Sequence, residues 1–146
     1  MFIEELYFYY ISLKTEFVDV DSYREWLNKV FLEDNDKDDI ILELQFCTDN
    51  IEKTIEEMQI YINNRQISID YHAVMKMIIS ELKEQYKNKT TLYQLTKKLY
   101  NIWTLFPENI SSEKPFIMLN SIDDPWSWND KEQVEQITEK LINYYN

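Results

Sequence analysis

The sequence predicts an all-α chain, and three observations carry that expectation. Apolar residues recur at intervals of three and four along most of its length. Ser, Thr or Asp followed three positions later by Glu or Gln stands ahead of several of those stretches, the pattern of a capping box. Strand-like segments are few and short, which leaves a sheet without enough partners to be stable. Together they predict a single domain over 1–146, an irregular bundle of about six helices with one long loop before the last.

The elements follow in order. Phe2, Ile3, Leu6, Tyr9, Tyr10, Leu13 and Phe17 lie on one helical stripe. Ser22 with Glu25 predicts the start of a second helix, whose inward face is Tyr23, Trp26, Leu27, Val30 and Phe31. The run 33–39 is rich in acids that compete for the backbone, so it reads as a loop. Residues 40–46 fit both periods: Ile40, Leu42, Leu44 and Phe46 alternate as in a strand, whereas Ile40, Ile41, Leu44 and Cys47 share a helical face. The shortage of partner strands favours helix.

Asp49 with Glu52 predicts the next helix, carrying Ile51, Ile55, Met58 and Ile62 to a polar stop at Asn63 and Asn64. Asp70 caps another, with Tyr71, Val74, Met75, Ile78, Leu82 and Tyr86 inward and Lys83 and Lys87 where the helix dipole favours positive charge. Thr91 with Gln94 opens a further helix that runs through Trp103 and Phe106 and stops at Pro107. Residues 107–129 hold all three prolines and show no helical period, hence the predicted long loop. Asn129 or Asp130 then caps a final helix bearing Val134, Ile137, Leu141 and Tyr144.

Composition narrows the chemistry. The 146 residues include no glycine, so phosphate loops, dinucleotide fingerprints and nucleophile elbows, each of which needs glycine where a Cβ would clash, are excluded. A hydrophobic content of 45% argues for a packed core. No apolar stretch is long enough to span a bilayer and the first residues are acidic, which predicts a cytoplasmic chain without a membrane role. One cysteine, Cys47, and one histidine, His72, cannot make an internal disulfide or a structural zinc site.

Charge is unevenly placed. The net value is −12, and residues 16–57 hold 14 acids against 4 bases, whereas 58–106 hold 3 acids against 7 bases. A negative region repels nucleic acid and speeds association with basic proteins. Within it, Asp34, Asp36, Asp38 and Asp39 read either as a solvated loop or as an electronegative docking patch. Their spacing resembles a calcium loop, but the turn glycine is missing and the twelfth position counted from Asp34 is Gln45, not glutamate. No metal and no cofactor is expected.

A second candidate patch lies at Asp123, Asp124, Trp126 and Trp128, two indoles among carboxylates. Tryptophan supplies large rigid area at interface hot spots, or else folds its own loop back on the core. His72 with Cys47 is the remaining catalytic pairing, against their plainer reading as a capping and a core residue.

The segments 25–27 (Glu-Trp-Leu), 38–46 (Asp-Asp-Ile-Ile-Leu-Glu-Leu-Gln-Phe) and 99–107 (Leu-Tyr-Asn-Ile-Trp-Thr-Leu-Phe-Pro) carry a resemblance. In them the acidic, tyrosine-rich helical chain resembles the small immunity proteins of LXG-type polymorphic toxin systems in Bacillus-like bacteria. That resemblance implies a cytoplasmic, non-enzymatic antitoxin that binds the toxin's C-terminal domain, often a basic nuclease. The partner-binding residues expected from the chain's own chemistry are Asp34, Asp36, Asp38, Asp39, Asp123, Asp124, Trp126 and Trp128. A regulatory adaptor for another basic protein is the alternative, and a hydrolase built on Cys47 or clustered carboxylates a third.

Overall fold

The computed structural model describes residues 2–33, 39–64, 69–88 and 91–146. Every regular element among them is helical, so the all-α expectation holds. The chain divides into two compact units, 1–69 and 70–146.

The first unit contains α1 (Phe2–Thr15), α2 (Val20–Glu33), α3 (Asp39–Phe46) and α4 (Ile51–Asn64). α1 packs on α4, and α3 packs on both α2 and α4. Burial along α1 is wider than one stripe: Tyr7, Phe8, Ile11 and Ser12 are inside with Leu6, Tyr10 and Leu13. A helix apolar on most of its circumference belongs in an interior, which is where α1 lies. Leu6, Ile11, Tyr23, Leu27, Ile41, Leu44 and Met58 form the centre of this core. Trp26 is only partly covered; it stacks on Tyr9 with ring centroids 4.7 Å apart, and its indole N–H donates to Glu5.

Segment 40–46 is helical. Ile40, Ile41 and Leu44 point inward, as the helical reading requires, and the alternating partners Leu42 and Phe46 are left in solvent. Two helix starts differ from the sequence expectation. The α2 cap is Asp19, whose carboxylate accepts from the Ser22 N–H at 2.8 Å, so Ser22 lies inside the first turn. Those bonds from Ser22 hold the Asp19 carboxyl below its ordinary range. At α4, Asn50 accepts from the Lys53 N–H at 3.0 Å, in place of Asp49. With no glycine available, the left-handed residue that ends α1 is Glu16, φ 58°, and the Phe17 N–H closes the turn on Ser12 O at 2.9 Å.

The second unit contains α5 (Tyr71–Lys87), α6 (Leu92–Trp103), α7 (Glu108–Ser111), α8 (Phe116–Ser121), a 3-10 turn (Asp124–Trp128) and α9 (Lys131–Ile142). Asp70 caps α5 through the Ala73 N–H and Asp130 caps α9 through the Gln133 N–H, both as expected. Thr91 precedes α6 but its side chain makes no capping bond, so the expected box with Gln94 does not close. α6 ends at Trp103, short of Phe106.

Nine α-helices among the described residues replace the expected six, and most of the difference lies at 107–129. Those residues are not an irregular loop. They form α7, α8 and the 3-10 turn, and Phe116, Leu119 and Ile122 point into the core at spacing three. α8 packs on α6 and α9, while α5 packs on α9, enclosing Val74, Ile78, Leu99, Phe116 and Val134.

Candidate functional site

The first unit presents a mixed acidic and apolar surface along α3 and α4. A helix buries three or four of every seven residues. Once Ile40, Ile41 and Leu44 face the core, Asp39, Leu42, Glu43 and Phe46 must face outward. Phe46 is 90% exposed, Leu42 37%, and Ile60 of α4 45%.

Two hollows flank this surface. One, of about 230 Å³, is lined by Asp39, Ile40, Glu43, Glu57, Ile60 and Tyr61 among others. The other, of about 460 Å³, is lined by Glu43, Phe46, Cys47, Asn50, Lys53 and Glu57. Glu43 and Glu57 belong to both and form the ridge between them.

The electrostatics of that ridge are explicit. Lys53 Nζ lies 2.8 Å from a Glu57 carboxylate oxygen. This bond raises the lysine pKa, and it lowers that of Glu57. Glu43 lines both hollows beside Glu57, and the closeness of that second carboxyl group pushes the Glu43 carboxyl above its ordinary range. The Lys53 ammonium is thus paired with Glu57, and Glu43 stands beside that pair as a second acid.

Of the residues expected to bind a partner, Asp39 lies here, exposed in the first turn of α3. Asp34, Asp36 and Asp38 lie outside the described residues, as does most of the calcium-like spacing. Glu43, Phe46, Glu57 and Ile60 were not expected. The signal that points to them is the helical reading of 40–46, which leaves two apolar residues on the wrong face for a core.

Asp123, Asp124, Trp126 and Trp128 come together in the second unit, in and beside the 3-10 turn. Their roles diverge there. Asp123 accepts from Lys97 Nζ at 2.9 Å and keeps only 18% side-chain exposure, so its charge is answered within the unit. The same bond raises the Lys97 pKa, and Lys97 also sits 5.1 Å from the centroid of the Tyr93 ring. Trp126 packs edge-on against Tyr93 and donates its indole N–H to Thr96 Oγ1 at 2.8 Å. Asp124 is exposed, and Trp128 is 60% exposed. The two tryptophans therefore divide the alternatives, Trp126 fastening the turn and Trp128 facing solvent. A groove of about 660 Å³ runs beside Trp126, lined also by Tyr86, Leu92, Tyr93, Lys131 and Glu135.

Cys47 and His72 belong to different units, and each is engaged within its own. The Thr54 hydroxyl approaches Cys47 Sγ at 3.5 Å and the Cys47 carbonyl at 2.9 Å. His72 Nδ1 is 2.6 Å from the Tyr145 hydroxyl, and its ring meets Phe116 edge-on. Among the described residues no group of three or more His, Cys, Asp or Glu side chains is placed to hold a metal ion. Nor is any described helix long and apolar enough to cross a membrane. No protein-family model matches the chain, and neither a curated protein nor a solved structure is significantly similar to it.

Proposed function

We propose that this chain is an immunity protein: it binds the C-terminal domain of a cognate LXG-type polymorphic toxin in the cytoplasm and blocks it stoichiometrically, performing no chemistry of its own. The observation that carries this reading is the α3–α4 surface, where Glu43 and Glu57 line one hollow with solvent-exposed Phe46 and another with Ile60 and Asp39. A nuclease must hold phosphate with Lys and Arg, so a carboxylate surface occupies the same field and is drawn to it rapidly. Exposed apolar side chains beside those carboxylates supply the short-range contacts that hold a complex once it has formed. The uneven charge of the sequence and its resemblance to LXG immunity proteins support the same reading.

The test is coexpression with the toxin domain encoded by the neighbouring reading frame. Cells expressing both proteins should grow, and the two should copurify in equal amounts. Continued toxicity with both proteins present in soluble form would overturn the proposal.

A further inference from the structure

The occupant of the α3–α4 surface can be specified further, on the reading that this protein docks a basic partner. We infer that it takes an amphipathic helix of the partner, whose apolar side chains seat against Phe46 and Ile60 while its arginines or lysines meet Glu43 and Glu57.

Three features select this occupant. First, each hollow pairs an exposed apolar group with the same two carboxylates, Phe46 on one side of the ridge and Ile60 on the other. An element that fills both must therefore alternate apolar anchors with cations at intervals matching two packed helices, as helix-in-groove recognition does. Second, this face is built from two helices, and the described part of the unit offers no sheet edge to which an extended peptide could add a strand. Third, a second copy of this chain would bring Asp39, Glu43 and Glu57 against their own equivalents in a molecule of net charge −12, and like charges directly opposed are unfavourable. Among the described residues the ion pair on this ridge is that of Lys53 with Glu57. A guanidinium, with its planar fork of donors, suits the ridge where Glu43 and Glu57 stand side by side.

The probe is a synthetic helix of about five turns, with leucines along one face and arginines on both flanks, titrated into the isotope-labelled full chain. Chemical-shift changes should centre on Glu43, Phe46, Glu57 and Ile60. Phe46→Ala and Glu43→Lys should each weaken binding by about tenfold or more, and since both side chains face solvent, circular dichroism should show the fold unchanged. Absence of binding, shifts centred elsewhere, equal binding of a peptide with glutamate in place of arginine, or self-association of the free chain through Phe46 would each overturn the inference. The toxin domain is assayed separately. A chain that takes the peptide on this face but ignores that domain keeps the site and loses the toxin reading; one that binds the domain with Phe46→Ala and Glu43→Lys unaffected keeps the function and loses the site.

Discussion

The indole of Trp126 donates to the hydroxyl of Thr96, 2.8 Å away and thirty residues earlier in the chain. Thr96 is fully buried and its own proton goes to the Tyr93 carbonyl, so the hydroxyl is fixed as an acceptor toward the indole. This bond, with the Lys97 to Asp123 pair beside it, fastens the 3-10 turn to α6.

Trp126→Phe should therefore destabilise the chain by about 1–3 kcal/mol, because it leaves the Thr96 oxygen without its donor. Thr96→Val should cost a similar amount. The double variant should lose less than the sum, with a coupling of about 1 kcal/mol. Urea denaturation of the four proteins measures this, and additive losses would mean that the bond contributes nothing of its own.

What the sequence makes legible here is set by how local each interaction is. Asp70 and Asp130 cap their helices as the residues imply, since a cap reaches only three positions along the chain. At α2 and α4 two capping residues stand close together, and Asp19 and Asn50 win over Ser22 and Asp49 by where the preceding turn delivers the chain. Helices α7 and α8 span four and six residues, too short for a period to emerge from the pattern. Asp123 reads in sequence as a free carboxylate, and nothing local reveals that Lys97 neutralises it. The α3–α4 surface was half visible: the ambiguity of Leu42 and Phe46 was itself the mark of residues that a helix cannot bury.

The glycine-free composition leaves a measurable strain. Glu16 holds φ 58° at the end of α1, a region where a side chain with a Cβ costs about 1 kcal/mol or more. Glu16→Gly should raise stability by about 1 kcal/mol, net of the entropy that glycine adds to the unfolded chain. Asn129, φ 57°, should gain less from the same change, because asparagine tolerates that conformation. Thermal denaturation of both variants checks the order.

Tyr23 is fully buried, and its hydroxyl finds no hydrogen-bond partner among the described residues. Burial pushes its pKa well above the ordinary tyrosine value. Below about pH 10 the tyrosine is neutral in both folded and unfolded chains. Above it the unfolded tyrosine ionises while the folded one resists, so stability is lost as the pH climbs toward the folded value. Tyr145, pushed up to about 12 mainly by burial, acts in the same direction. Tyr23→Phe should leave stability equal or higher by about 1 kcal/mol at neutral pH, since it removes an unsatisfied polar atom. It should also flatten the alkaline decline above pH 10, as read from urea midpoints. A variant several kcal/mol less stable at neutral pH would show that the hydroxyl is bonded after all.

The central claim is that an acidic face meets a basic protein, and association kinetics with the toxin domain address it most directly. Stopped-flow mixing at increasing salt should give a one-to-one complex whose association rate constant falls by about tenfold or more between low and high ionic strength. Joint reversal of Asp39 and Glu43 to lysine should lower that rate constant and flatten its salt dependence. A rate constant indifferent to both salt and charge reversal would contradict the account.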